Sequence, residues 1–161
     1  MTEQAKRSAK MGSGFGLIAG VIFALMEVVG AVLMGNPPLM PLRMFASVLL
    51  GQSALEAASL GTAVLVGTVV HLGLSALYGL IYGLINARLS AETQTNWGRQ
   101  AGLGLLFGAM LWLVNFQIIA RIFYPWFLTT PQFLQMAMHV VFFGLPLALM
   151  YTAATRRIQR S

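Results

Sequence analysis

Apolar residues run along this chain in four long stretches, about residues 13–35, 61–86, 100–123 and 131–154, with polar segments between them. Each exceeds the ~20 residues that an α-helix rising ~1.5 Å per residue needs to cross a bilayer. The pattern predicts an all-α, polytopic membrane protein with four transmembrane helices in one membrane domain, residues 1–161. The basic arm MTEQAKRSAKM precedes the first stretch. That stretch is too long for the core of a signal peptide and no A-x-A-like site ends it, so it reads as the first span. Asn36-Pro37-Pro38 then stops the helix. Pro41 suits the first turn of a short helix over about 41–51, because that turn needs no N–H from it. This segment is too short to span. Its apolar bulk, with Arg43 and Gln52 at its ends, predicts an interfacial helix or one packed on the bundle; a plain linker is the alternative. Trp97, in the polar loop 87–99, and Tyr124 and Trp126, in the turn FYPWFLTTP, sit where interfacial aromatics belong.

The first span opens on a pattern that returns. Residues 14–27 read GFGLIAGVIFALME and residues 102–115 read GLGLLFGAMLWLVN. At an offset of 88, Gly14, Gly16, Leu17, Gly20 and Leu25 meet Gly102, Gly104, Leu105, Gly108 and Leu113, and each copy ends on a polar residue, Glu27 or Asn115. Each is followed by a helix with one histidine, His71 and then His139. The chain is expected to hold two hairpins in parallel repeat, related by a pseudo-two-fold axis along the membrane normal. Two independent small-residue packing faces are the alternative.

Helical spacing sorts the faces. Gly16, Gly20, Phe23 and Glu27 form one stripe, and Gly104, Gly108, Leu111 and Asn115 form its counterpart. Small residues four apart let helix backbones approach closely in lipid, so Gly16, Gly20, Gly104 and Gly108 are the predicted packing contacts. The stripes turn Glu27 and Asn115 towards protein. His71, Ser75, Tyr78 and Tyr82 share a face of the second span, and Gln132, Gln135 and His139 a face of the fourth. Counted from the span ends, Glu27, His71, Asn115 and His139 all lie roughly 10–15 Å below one surface. They are predicted to meet in one layer.

Composition and charge narrow the function. Hydrophobic residues make up 58% of the chain and charged residues 9%, against about 25% charged in soluble domains. The absence of cysteine excludes disulfides, thiolate zinc sites, cysteine-held iron–sulfur clusters and covalent c-type haem. The net charge of +6 comes from topology. Lys6, Arg7, Lys10, Arg88, Arg99, Arg156, Arg157 and Arg160 flank one side of the spans, and only Arg43 and Arg121 flank the other. Both termini are therefore expected to be cytoplasmic. No aromatic-interleaved basic patch points to nucleic acid.

An ionisable group at membrane depth costs at least ~2.5–3.5 kcal/mol on insertion scales. Glu27 is thus either a carboxylate that fixes the bundle by bonding His71 or backbone, or a proton relay or ligand. His71 and His139 are the only possible axial ligands for a b-type haem, and with a carboxylate they would suit a metal. No Glu-x-x-His pair, H-E-x-x-H, P-loop or G-x-S-x-G motif is present, and no span carries the interruption of a broken helix.

In the stretches LMEVVGAVLMGNPPLMPLRMFASVLLG, VVHLGLSALYGLI and LVNFQIIARIFYPWF, the chain resembles a family of small uncharacterised bacterial four-helix inner-membrane proteins, some carrying the label sodium:proline symporter. The likeness runs from about residue 14 to 152. It implies a bacterial inner-membrane protein and no assigned activity. The leading expectation is a small non-enzymatic membrane protein, either a homo-oligomer or an accessory subunit of a larger membrane complex. The alternatives are a haem or metal protein on His71 and His139, and a proton-coupled carrier or channel centred on Glu27, Asn115, His71 and His139.

Overall fold

The computed structural model describes residues 2–160; Met1 and Ser161, the ends of the expected domain, lie outside the described residues. Every regular element among the described residues is helical. Helix α1 spans Glu3–Leu33. It starts ten residues before its apolar run because the Thr2 hydroxyl accepts from the Ala5 N–H, capping an otherwise orphaned donor. Beyond it Gly35 takes a left-handed conformation (φ 75°), and Pro37 and Pro38 prevent continuation. Helix α2, Met40–Leu50, carries Pro41 in its first turn and ends at Gly51, also left-handed (φ 80°). Ser59 caps α3, Leu60–Asn86. Ser90 caps the short α4, Ala91–Thr95, and Asn96 caps α5, Trp97–Phe123. Helix α6 spans Gln132–Arg160, so the basic tail continues the last span as helix.

Four helices, α1, α3, α5 and α6, are long and apolar enough to cross a membrane. Their contacts close a ring: α1 packs on α3 and on α6, α6 packs on α5, and side chains join α5 to α3. Its sides α1–α3 and α5–α6 are close backbone contacts. A Cβ at Gly16 would run into the Ser75 carbonyl and the backbone of Gly79. One at Gly108 would meet the His139 carbonyl and, at 2.7 Å, the Val140 Cα, and one at Gly104 would meet Gly144 and Ala148. The other sides use large side chains. Phe23 of α1 meets His139 of α6, and Tyr82 of α3 meets Phe107 of α5. The outward surface is apolar: Leu25 is 61% exposed, Val69 62% and Ile122 64%. Water would not favour such a surface; lipid would.

Two helices are irregular beside the cavity described below. Helix α5 widens to π geometry over Leu113–Ile119, and α6 does so over Met138–Gly144. In α6 the cause is Pro146, which has no N–H for the Phe142 carbonyl and whose ring crowds that carbonyl. No proline accompanies the widening in α5. Neither is the mid-span break of a discontinuous helix, yet neither span is the plain α-helix that the sequence suggests.

The two ends of the bundle differ. The end holding both termini is sealed by a buried polar network. Tyr82 donates to Gln100 Oε1 (2.7 Å), Gln100 Nε2 donates to Asn86 Oδ1 (2.7 Å), and Gln94 donates to the Asn86 and Leu89 carbonyls. Asn86 and Gln100 are fully buried. Arg156 donates to the Thr95 carbonyl and lies over the Trp97 ring. At the far end α2 packs on α3, where Gly67 admits the Leu42 backbone. Arg43 holds the following connection through the carbonyls of Ala54, Leu55 and Ala58. The Trp126 indole donates to Ser47 (2.8 Å), tying α2 to the turn between α5 and α6.

Candidate functional site

Glu27, His71, Asn115 and His139, one from each long helix, line a single cavity of about 340 Å³. The cavity extends from Tyr78 and Phe143 at its floor to Asn36 and Thr130 at the far end, with Met40, Met44 and Val48 of α2 along one wall. Most of the lining is aromatic or aliphatic, and the polar groups are few and spaced.

Each polar group has a defined setting. Glu27 Oε2 accepts from Gln135 Nε2 at 3.2 Å, whereas its Oε1 is buried without a hydrogen-bond partner. The partner is Gln135 rather than His71. His71 instead bonds the Gly20 carbonyl through Nε2 (2.8 Å). A carbonyl only accepts, so this nitrogen carries hydrogen, and in the neutral ring Nδ1 is then an acceptor. Gly20 permits that bond, since a side chain there would collide with Ser75 and approach Nε2. The His71 imidazole lies between two phenyl rings, stacked on Phe45 (centroids 4.3 Å apart) and on Phe23 (5.6 Å).

His139 donates through Nδ1 to the carbonyl of Gln135 at 2.7 Å, which lies in the regular turn just before α6 widens. Its ring meets Phe23 and Phe116 edge-on. Asn115 lies in the widened turn of α5 and accepts from the Tyr78 hydroxyl at 2.9 Å.

The sequence placed Gln135 and Tyr78 on the right faces but not in these partnerships, and it did not place Phe45 at the site. Phe45 reaches His71 only because α2 folds back over α3. Gly16, Gly104 and Gly108 stand at helix contacts, and Gly20 stands at the site itself. The glycine faces are used inside the chain, each against the other helix of its own hairpin, so they do not in themselves call for a second copy.

The arrangement bears on cofactors. Phe23 stands against both imidazoles and the His71 Nε2 is already engaged, so the two rings do not form the opposed pair that a b-type haem takes. Among the described residues no three His, Cys, Asp or Glu side chains gather as a metal site. What remains is a largely apolar chamber with a few hydrogen-bonding groups, the usual form of a small-molecule site. Comparison with protein-family models, curated proteins and solved structures finds no match for this chain.

Proposed function

We propose that this is a small non-enzymatic integral protein of the bacterial inner membrane that binds a small amphiphilic molecule in a cavity opening on the periplasmic side. In this reading both termini are cytoplasmic, the two hairpins are a parallel repeat, and α2 lies in the outer interface as one wall of the cavity. The single observation that carries the reading is the convergence of Glu27, His71, Asn115 and His139, separated by 24 to 112 residues, on one cavity of about 340 Å³. Packing alone does not ask for four polar groups at membrane depth, each costing several kcal/mol unless partnered. A sealed cytoplasmic end and a roomy periplasmic end also suit a receptor better than a plain structural bundle.

Filling the cavity tests the reading. Val48→Phe, on the α2 wall, is expected to weaken the binding of small aromatic amphiphiles by about tenfold, the cost of ~1.4 kcal/mol. Saturation-transfer NMR on the purified protein would measure it. Binding that ignores the substitution would end the proposal.

Proton-coupled transport at the same site is the second reading. It is favoured by the buried, unpartnered Oε1 of Glu27 and by a cavity closed at one end, as in one state of an alternating-access carrier. Proton flux in liposomes that is unchanged by Glu27→Gln would remove it. An accessory subunit of a larger complex remains compatible with the binding role, with the exposed apolar faces of the four spans available to a partner.

A further inference from the structure

The cavity's charge inventory is one-sided. Its lining holds one carboxylate, Glu27, and no lysine or arginine. The two cations at that end are occupied elsewhere: Arg43 on three backbone carbonyls, and Arg121 on Gln117 Oε1 at 2.7 Å. Beside the carboxylate, several acceptors are left for a guest. Glu27 Oε1 has no partner. Each histidine uses its N–H on backbone, which leaves a ring-nitrogen lone pair. Tyr78 commits its hydroxyl hydrogen to Asn115. Around these acceptors stand the rings of Phe23, Phe45, Phe116, Tyr124, Phe127 and Phe143. Aromatic faces attract cations and accommodate apolar bodies alike.

Resting on the binding role above, we infer that the ligand is a small organic ammonium ion. Its N–H groups meet Glu27 and the neighbouring acceptors, and its hydrocarbon or aryl body fills the aromatic part of the cavity. An anion would face an unneutralised carboxylate, and a neutral hydrocarbon would leave Oε1 unpaired. The amide N–H groups of Asn115, Asn36 and Gln135 and the Tyr124 hydroxyl also line the cavity; they add to the fit of a ligand with a second polar group, and being uncharged they do not reverse the sign.

Three probes of nearly one shape discriminate: phenylpropylammonium, its carbon isostere butylbenzene, and the anion phenylbutanoate. Binding to the full chain in detergent is measured by saturation-transfer NMR and calorimetry, referenced to empty micelles. The ammonium is expected to bind at least about tenfold tighter than butylbenzene, as a charge-assisted hydrogen bond commands. Phenylbutanoate is expected to bind weakest, and Glu27→Gln to abolish the preference while butylbenzene still binds. Equal binding of ammonium and butylbenzene, or a preference that survives in E27Q, would overturn the ammonium assignment and leave the cavity role standing. Failure of all three probes would overturn both. The three-probe comparison on the unaltered chain separates these outcomes even where E27Q does not fold.

Discussion

The two hairpins use glycine in the same way and end with different helices. In the first, Gly12 and Gly16 of α1 meet Gly79 and Gly83 of α3, and both helices keep regular geometry. In the second, Gly104 and Gly108 of α5 meet Gly144 of α6, and both helices widen as they reach the cavity. The difference separates two tasks. Close backbone contact holds each pair together. Widening lies where Asn115 and His139 turn inward to the cavity. The first hairpin supplies its polar groups, Glu27 and His71, from straight helices. Gln135 of α6 helps to orient the carboxylate, while the Gly20 carbonyl and the Phe23 and Phe45 rings orient the imidazole.

The largest effect tests the shared half of that comparison. Valine at Gly79 or at Gly144 would drive two atoms beyond Cβ into a facing backbone. Each substitution is expected to cost about 3 kcal/mol or more, at the upper end of over-packing effects, seen as loss of monodisperse protein in detergent. A much smaller loss at Gly144 would show that the widened turn beside it absorbs strain, and the equivalence of the two contacts would break. Next comes the half that differs. Pro146→Ala restores an N–H and relieves a clash, so α6 is expected to regularise and the protein to gain about 1–3 kcal/mol, within the cost of an interior proline. The His139 ring signals in nitrogen-15 NMR should then shift as its bond to the Gln135 carbonyl is lost. A stabilised protein with unchanged His139 signals would mean that the widening does not orient the ring. The smallest effect is a control. Gly14 and Gly102 belong to the same sequence pattern but have nothing within 4 Å of an added Cβ. Alanine there is expected to be neutral or to stabilise by up to ~1 kcal/mol through helix propensity alone, read as a small rise in Tm. Destabilisation at either would reveal a contact on the outer face.

Much of the fold was legible because lipid imposes a simple rule. Apolar runs of sufficient length become helices, and the four runs did. Pro41 announced α2 by its position alone. Counting residues along helices brought Glu27, His71, Asn115 and His139 to one level, and one cavity holds them. Helix counting does not reach pairings that depend on how helices rotate and cross. By sequence Glu27 suits His71 or backbone, but α6 lies beside α1 at that level and presents Gln135. The widening over Leu113–Ile119 had no signal, since no proline or glycine lies within it. For the one in α6, Pro146 is a signal that the long apolar run around it hides. The seal of Tyr82, Gln100, Asn86 and Gln94 was hidden because its members sit in a loop and at helix ends, where polar residues are expected to face water.

The two glycines that flank α2 carry a further meaning. Gly35 and Gly51 are the only left-handed residues among those described, and neither is crowded. The eleven-residue rod between them is therefore set by what it touches: Gly67 against the Leu42 backbone, Trp126 on Ser47 and His71 on Phe45. On the proposed binding role, loosening Ser47 from Trp126 and Phe45 from His71 would widen the far end of the cavity.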